Sequence, residues 1–523
     1  MGAIKYLVIL LFFFHSCDKN SPNDKGTDFT TNPLKLRSYV EEIKVNQMLL
    51  KLSGLKPKPI AIINGTLIEP QNGEVINDGT VLIEDERIVY SGLNDNNILL
   101  DKYEVIDAEN KYVIPGLVDM HVHTAYRNDQ KLLNLINGVT SVREMAGQQW
   151  MIGVRENIRN SRLMAPNLYI ASNMLNYYSL GMHTTVVKSK KDVEKAISEF
   201  ENIGYNYIKI WNNIPNNLFD TIITEAERHN LKVVGHIPMN VNIADALAGM
   251  YTLEHFKGYV SNNNQEITDE NYVELTNKYQ PWLCPTFYTT NVGLSGAVAD
   301  SIIKRSEESK YVSPFELEKW EESKKINDKL PKNSPYIKQA RNMKIVFQNL
   351  NTVNPRYLAG TDSGGGFSFL VPGFGLHDEL KTFNELGMTP LETLQTATSN
   401  AAKGLLREGK LGTLKEGARA DFLILNANPL EKITHLKSID EVIIRGIRLD
   451  NKQISSIKEF LTKLYDKNNT LYKDEKDGVK ILVDFYKKNR SPSFSKPHIL
   501  KEIANDLKAS GFYQEAAVIE QNI

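Results

Sequence analysis

Between residues 117 and 410, short apolar runs alternate with helix-like stretches, and this alternation limits the fold more than any other feature of the chain. The strand-like runs include "VTSVREM", "NLYIAS", "YIKIW", "KVVGHIP", "TLEHF", "PWLCPTF" and "RYLAGTDS". Stretches such as "SKKDVEKAISEFENIG" and "DTIITEAERHN" stand between them. Repeated strand-then-helix units imply parallel strands joined by crossover helices. About eight such units predict an α/β fold of the (β/α)8 TIM-barrel type over 117–411.

The flanks have a different texture. "KPIAIINGTLIEP", "GTVLIEDERIVYSG" and "YEVIDAENKYVIPG" are β-branched runs divided by Gly, Asn and Asp, and "GTLKEGARADFLILN" and "DEVIIRGIRLDN" repeat the pattern after the barrel region. These are strands with tight turns. Segments 58–116 and 412–450 are expected to pair into a small β-sandwich beside the barrel. Residues 451–523 are amphipathic and Lys-rich, and read as a helical C-terminal extension. Residues 18–57 read as a tether followed by a short helix in "LRSYVEEIKVNQMLLKL". With 41% hydrophobic and 24% charged residues over 523 positions, the chain can bury a large core. A net charge of −1 gives no electrostatic footprint for nucleic acid.

Barrel enzymes carry their chemistry at the C-terminal ends of the strands. "VIPGLVDMHVHT" ends in His121 and His123. Residues i and i+2 of a strand share a face, so these two imidazoles project side by side. They are either half of a metal site or two unrelated polar residues at a strand end. Lys209 follows "YNYI", His236 follows "KVVG", His255 follows "YTLE" and Asp362 follows "RYLAGT". The chain has ten histidines, and four of them fall at these strand ends. Alternatives stay open for single positions. Lys209 could be an ion-pair partner, His236 a satisfied core residue, and Asp362 a turn former in "GTDSGGG". Arg143 and Glu144, which end "VTSVREM", could pair with each other or bind substrate. Cys284 reads as an apolar packing residue. His229, His435 and His498 read as incidental, and His377 as a helix-end residue.

As a set, "PGLVDMHVH", "YIKIW", "GHIP", "EH", "GTDSG" and the closing "GTLKEGARADFLIL" resemble the amidohydrolase superfamily over roughly residues 58–450. "WLCPTF" and "GLHDELKTFNELGMTPLETLQTATSNAAKGL" are similar to its imidazolonepropionase-related, Xaa-Pro-dipeptidase-like branch. The resemblance implies two divalent metal ions, zinc or another ion of that type. It assigns His121, His123 and Asp362 to the more buried ion and His236 and His255 to the second, with Lys209 bridging them as a carboxylated lysine. A free ammonium has only donors and cannot ligate. It also implies that Asp362 acts as general base and then acid, and that His183 contacts a substrate carbonyl or carboxylate. The Gly-Gly-His-Gly context usual around that histidine is missing here.

The first residues, "MGAIKYLVILLFFFHSCDKN", resemble a bacterial lipoprotein signal peptide over 1–17, with Cys17 as the lipidated residue. Phe14 and His15 depart from the usual lipobox, and a plain secretory leader with a chance cysteine is the alternative. The expected location is the cell envelope, with membrane attachment through Cys17 and no transmembrane helix. The expected activity is metal-dependent hydrolysis of an amide-type C–N bond in a small-molecule or dipeptide-like substrate, Xaa-Pro dipeptides included. A cyclic amide, imidazolone or lactone hydrolase with the same centre is the second reading, and a non-catalytic envelope binding protein the third. Whether the chain forms a homo-oligomer is open at this level, and specificity is expected in an irregular, polar segment, 258–340.

Overall fold

The computed structural model describes residue 29 and residues 32–95, 97–124, 127–181, 183–261, 266–294, 307–327, 335–364, 369–489 and 497–523. The leader at 1–17, Cys17 included, lies outside the described residues.

Parallel strands run through the middle of the chain. We label them β1 (Leu117–His123), β2 (Val139–Glu144), β3 (Asn167–Ile170), β4 (Tyr207–Ile210), β5 (Lys232–Gly235), β6 (Thr252–Glu254), β7 (Trp282–Cys284), β8 (Arg356–Tyr357) and β9 (Ser363–Gly364). They form two parallel sheets. One runs in the order β9, β1, β2, β3. The other runs β4 to β8 in sequence, with the short strands Met174–Asn176 and Thr184–Val186 added beyond β4. Hydrogen bonds cross both seams. Asn206 N donates to Ile170 O (2.8 Å) and Ser172 N to Tyr207 O (2.8 Å) at the first. Met120 N donates to Ala359 O (2.9 Å) and Asp362 N to His121 O (2.7 Å) at the second.

The crossover helices follow from their sequences. In Lys190–Ile203 a capping box joins Ser189 and Asp192, and Gly204 ends the helix in the left-handed region at φ 89°. Val193, Ala196, Ile197 and Phe200 recur at helical spacing and are the buried face.

The flanking pieces do pair, in one hydrogen-bonded eight-stranded sheet. Phe422–Leu425 lies antiparallel to Tyr112–Pro115, which joins the C-terminal piece to the N-terminal one. Ile60, Ile62, Val81, Ile83, Val113, Phe422 and Ile443 form its core. Gly116 hands this sheet to β1. A Cβ there would meet Thr140 Oγ1 at 2.3 Å, so the step between the two units needs glycine.

The short helix expected after the tether is present as Pro33–Leu52, where Leu36, Val40 and Ile43 share a separate core with Val479, Leu482, Leu500, Ile503 and Leu507 of the C-terminal helices. One expectation changes. The segment 258–340 holds much regular structure, including helices Tyr272–Tyr279, Phe287–Leu294 and Pro314–Asn327. Among the described residues no helix is long and apolar enough to cross a membrane.

Candidate metal centre

The six residues expected at strand ends all sit at the C-terminal ends of the parallel strands or just past them. His121 and His123 close β1, Lys209 lies in β4, and His236 and His255 directly follow β5 and β6. Asp362 precedes β9 in a left-handed conformation, φ 59°, and His255 is also left-handed at φ 60°. Non-glycine residues held there carry strain that a functional geometry can use.

The side chains converge. Asp362 Oδ1 is 3.1 Å from His123 Nε2 and 3.3 Å from His121 Nε2, and Oδ2 is 4.0 Å from His255 Nδ1. The rings of His121 and His255 are 4.6 Å apart, and those of His255 and His236 4.9 Å. His121, His255 and Asp362 form a group able to hold one ion.

The outer ring nitrogens settle what the inner ones can do. His121 Nδ1 contacts Glu254 Oε2 at 2.8 Å and His123 Nδ1 contacts Glu144 Oε1 at 3.1 Å. His236 Nδ1 contacts Asn212 Oδ1 at 2.7 Å. His255 Nδ1 contacts Thr286 Oγ1 at 2.6 Å, and that hydroxyl donates to Pro285 O at 2.7 Å. Each partner is an acceptor, so each Nδ1 carries a proton and each Nε2 is the atom left to face the centre. His123 and His121 Nε2 face one carboxylate oxygen at 3.1 and 3.3 Å, a convergence that calls for a proton or a cation between them. Ligand atoms that share an ion at about 2.1 Å each stand roughly 3.0–3.4 Å apart. Lys209 Nζ, His236 Nε2 and Asp362 Oδ1 are also buried without a hydrogen-bond partner. The donor set therefore fits divalent metal.

The electrostatics agree. Burial pushes Lys209 down to about 8, which favours the neutral amine that carboxylation needs. Burial and the Lys209 charge hold His121 down at about 4. Burial also acts against the charged form of His123, but the carboxylates of Asp362 and Glu144 outweigh it and lift the imidazole to about 9. For Asp362, burial favours the neutral acid, yet the imidazoles of His121, His255 and His123 hold the carboxyl well below its usual range.

His183 is buried beside the centre, with Nδ1 3.2 Å from Gln148 Nε2, and burial together with the His123 charge lowers it to about 4. Cys284 lies in an apolar cluster, and desolvation lifts its thiol well above the normal value, but its Sγ also lies within 4.8 Å of ligand atoms of His121 and Glu254. His377 is buried far along the chain's packing, with Nε2 3.0 Å from Asn137 O at the end of the helix before β2. His229 contacts Glu201 at 2.7 Å and His435 contacts Asn428 O at 2.8 Å; neither approaches the centre.

Sequence reasoning missed the supporting residues. Arg143 and Glu144 do not pair with each other: Arg143 Nη2 pairs with Glu254 Oε1 at 2.8 Å, and Glu144 serves His123. Asp119, buried in β1, accepts from Thr361 N (3.0 Å) and Thr361 Oγ1 (2.7 Å), which fixes the turn that carries Asp362. Asn212 and Thr286 had no signal beyond lying just after β4 and β7.

Comparison with known proteins adds likenesses. The amidohydrolase family profile matches residues 322–449. The adenine deaminase of Mesorhizobium japonicum is 22% identical over 410 residues, covering 76% of this chain and 57% of that protein. The chain thus spans a little over half the length of this curated relative. Among solved structures, bottromycin amidohydrolase superposes with a TM-score of 0.66 at 20% identity, over 80% of this chain and 93% of that one. A putative prolidase from Bifidobacterium longum gives 0.60 at 19% identity, over 79% of this chain and all (100%) of that one. At these identities the structural likeness is one of fold. The matched segment and the strand-end motifs make the chain similar to amidohydrolases.

Proposed function

We propose that the chain is a metal-dependent hydrolase that cleaves an amide-type C–N bond in a small, peptide-like substrate, using a binuclear centre at the mouth of a (β/α)8 barrel. The observation that carries this reading is the convergence of His121 and His123 Nε2 on Asp362 Oδ1, with every Nδ1 engaged by an acceptor. The hydrogen bonds across both seams support reading the two parallel sheets as one barrel.

In this reading His121, His123 and Asp362 would hold one ion and His236 and His255 the other, with Lys209, once carboxylated, supplying an anionic oxygen ligand to the pair. When bound, divalent ions lower the pKa of water and polarise a carbonyl. Asp362 accepts the proton of the attacking water and passes it to the leaving nitrogen. Glu254, Glu144, Asn212 and Thr286 keep the imidazoles in one tautomer and orientation. His183, whose imidazole feels the His123 charge, would contact the substrate carbonyl or carboxylate. The putative prolidase among the structural neighbours favours a dipeptide-like substrate over the purine of the adenine deaminase.

Metal analysis of purified protein tests the centre. Two equivalents of divalent ion per chain are expected, and one or none contradicts the binuclear arrangement. Metal affinity should also fall about tenfold per pH unit as pH drops below about 9, because the ion must displace the proton held on His123. A pH-independent affinity between 6 and 9 would contradict that link. We further propose export and attachment to a membrane through lipidated Cys17. Cys17→Ala should move the protein from the membrane to the soluble fraction, and an unchanged distribution would refute the anchor.

A further inference from the structure

We propose that the protein binds a phosphate group, free or as a small phosphate monoester, in a cationic cavity at the N-terminal ends of the parallel strands. This end of the fold is opposite the candidate metal centre, and the proposal stands apart from the hydrolase reading.

The cavity has a volume of about 180 Å³, more than one or two ordered waters fill. Tyr169 of β3 and Leu411 line it and are themselves buried. Arg87, Arg407, Lys410 and Arg419 also line it, and Glu86 is the one acidic lining residue. Its place in the fold follows from hydrogen bonds at the strand starts. Gly116 N, just before β1, donates to Asp421 O at 2.9 Å. The hydroxyl of Tyr207, the first residue of β4, donates to Gly404 O at 3.0 Å. Arg419 pairs with Asp421 Oδ2 at 2.5 Å and donates to Ser141 Oγ, near the start of β2, at 3.2 Å.

Backbone hydrogen bonds tie the cations to one another. Ala420 N donates to Glu86 O and Gly417 N to Ile88 O, both at 2.8 Å, which joins 417–420 to the hairpin turn that bears Arg87. Arg419 N donates to Lys410 O at 3.0 Å, and Lys410 N to Arg407 O at 2.9 Å. Leu406 is exposed and left-handed at φ 57°, a strained state for a bulky side chain. The turn that it opens brings the Arg407 guanidinium carbon within 6.0 Å of the Tyr169 ring centroid.

Among the described residues, Arg419 alone of these four cations pairs with a carboxylate. Arg87 Nη1 and Arg407 Nη1 donate to backbone carbonyls, Gly417 O at 2.8 Å and Leu406 O at 3.2 Å. Glu86 accepts from Ser161 Oγ at 3.3 Å instead of meeting Arg87. A general surplus of cations does not explain this gathering, because the chain's net charge is −1. Like charges around one cavity repel, and an anion between them relieves the repulsion. Because the backbone holds them together beforehand, little order is lost on binding. Phosphate suits the site better than a carboxylate. Its oxygens meet cations from several sides, and guanidinium forks match pairs of them.

Calorimetric titration of the full-length, metal-loaded protein at low ionic strength tests this, with inorganic phosphate and glycerol 3-phosphate as probes. Arg407→Gln and Lys410→Gln should each weaken binding about 10-fold. Glu86→Gln should tighten it several-fold, because the lining carboxylate opposes the anion. Arg407 and Lys410 are exposed, so thermal melts and metal content should stay at wild-type values. Phosphate held by metal ions at the other end of the fold is indifferent to all three changes. Binding that survives the Arg407→Gln/Lys410→Gln pair therefore overturns the proposal, and so does wild-type protein that binds neither probe. Phosphatidylglycerol vesicles distinguish a lipid headgroup from a soluble phosphate. Vesicle binding that needs Arg407 and Lys410, with neither soluble probe bound, would make this a membrane-facing surface and refute the cavity site.

Discussion

Asp362→Asn should lower kcat by about 10³-fold or more while leaving the fold intact and most of the metal bound. Asparagine keeps the shape of the side chain and one acceptor oxygen, and it tolerates the left-handed backbone that this position adopts at φ 59°. The backbone is held independently of the side chain: Asp362 N donates to His121 O at 2.7 Å, and Asp119 anchors the preceding Thr361 at 2.7 Å. What the amide cannot do is accept a proton and release it. The native carboxyl, held well below its usual range by three imidazoles, is ionised throughout the neutral range and ready for that transfer. The measurement is kcat on a competent dipeptide, paired with metal content and a thermal melt. Turnover at the wild-type rate in a metal-replete variant would remove Asp362 from the proton path. A loss of metal in proportion to activity would make it a ligand without a transfer role.

The six candidate ligands were legible in the sequence because each follows an apolar strand, and parallel strands bring their C-terminal ends to the same side of a sheet. His121 and His123 show this best, since strand alternation alone puts them on one face. The residues that orient them were not legible. Glu254 serves His121 from 133 positions away, a distance that no local pattern spans. Arg143 and Glu144 are neighbours in sequence and so suggested a pair, but consecutive strand residues point to opposite faces. Arg143 therefore reaches Glu254 while Glu144 reaches His123. Periodicity showed that Leu36, Val40 and Ile43 belong to a buried helix face. It could not show that Leu482 and Ile503, more than four hundred residues later, cover that face. The helix Pro314–Asn327 was lost in the polar segment because "FELEKWEESKKIN" carries charge on nearly every turn and shows no apolar stripe.

Glu254 is where stability and metal binding meet, and replacing it should affect both. Its carboxylate is fully buried and links Arg143 Nη2 at 2.8 Å to His121 Nδ1 at 2.8 Å, with Thr252 Oγ1 donating at 2.6 Å. Burial opposes its ionisation, but the Arg143 guanidinium and the His121 contact hold the carboxyl well below its usual range. A depressed folded-state pKa means that this contribution to stability is present above the unfolded carboxyl's pKa and is lost as pH falls through the folded value. Glu254→Ala leaves a buried guanidinium without a counter-charge, which should cost about 3–5 kcal/mol. It also frees the His121 ring, which should weaken metal binding about 10- to 100-fold. The two effects separate on pairing the change with Arg143→Met. Removing both charges should restore much of the stability, because no buried charge is then left alone, whereas the metal affinity should stay low, because His121 still lacks its acceptor. Denaturant melts of metal-free protein and competition with a chromophoric chelator read the two quantities independently. If the double variant regained metal affinity along with stability, Glu254 would be acting through the fold alone, and the orientation of His121 would have to come from elsewhere.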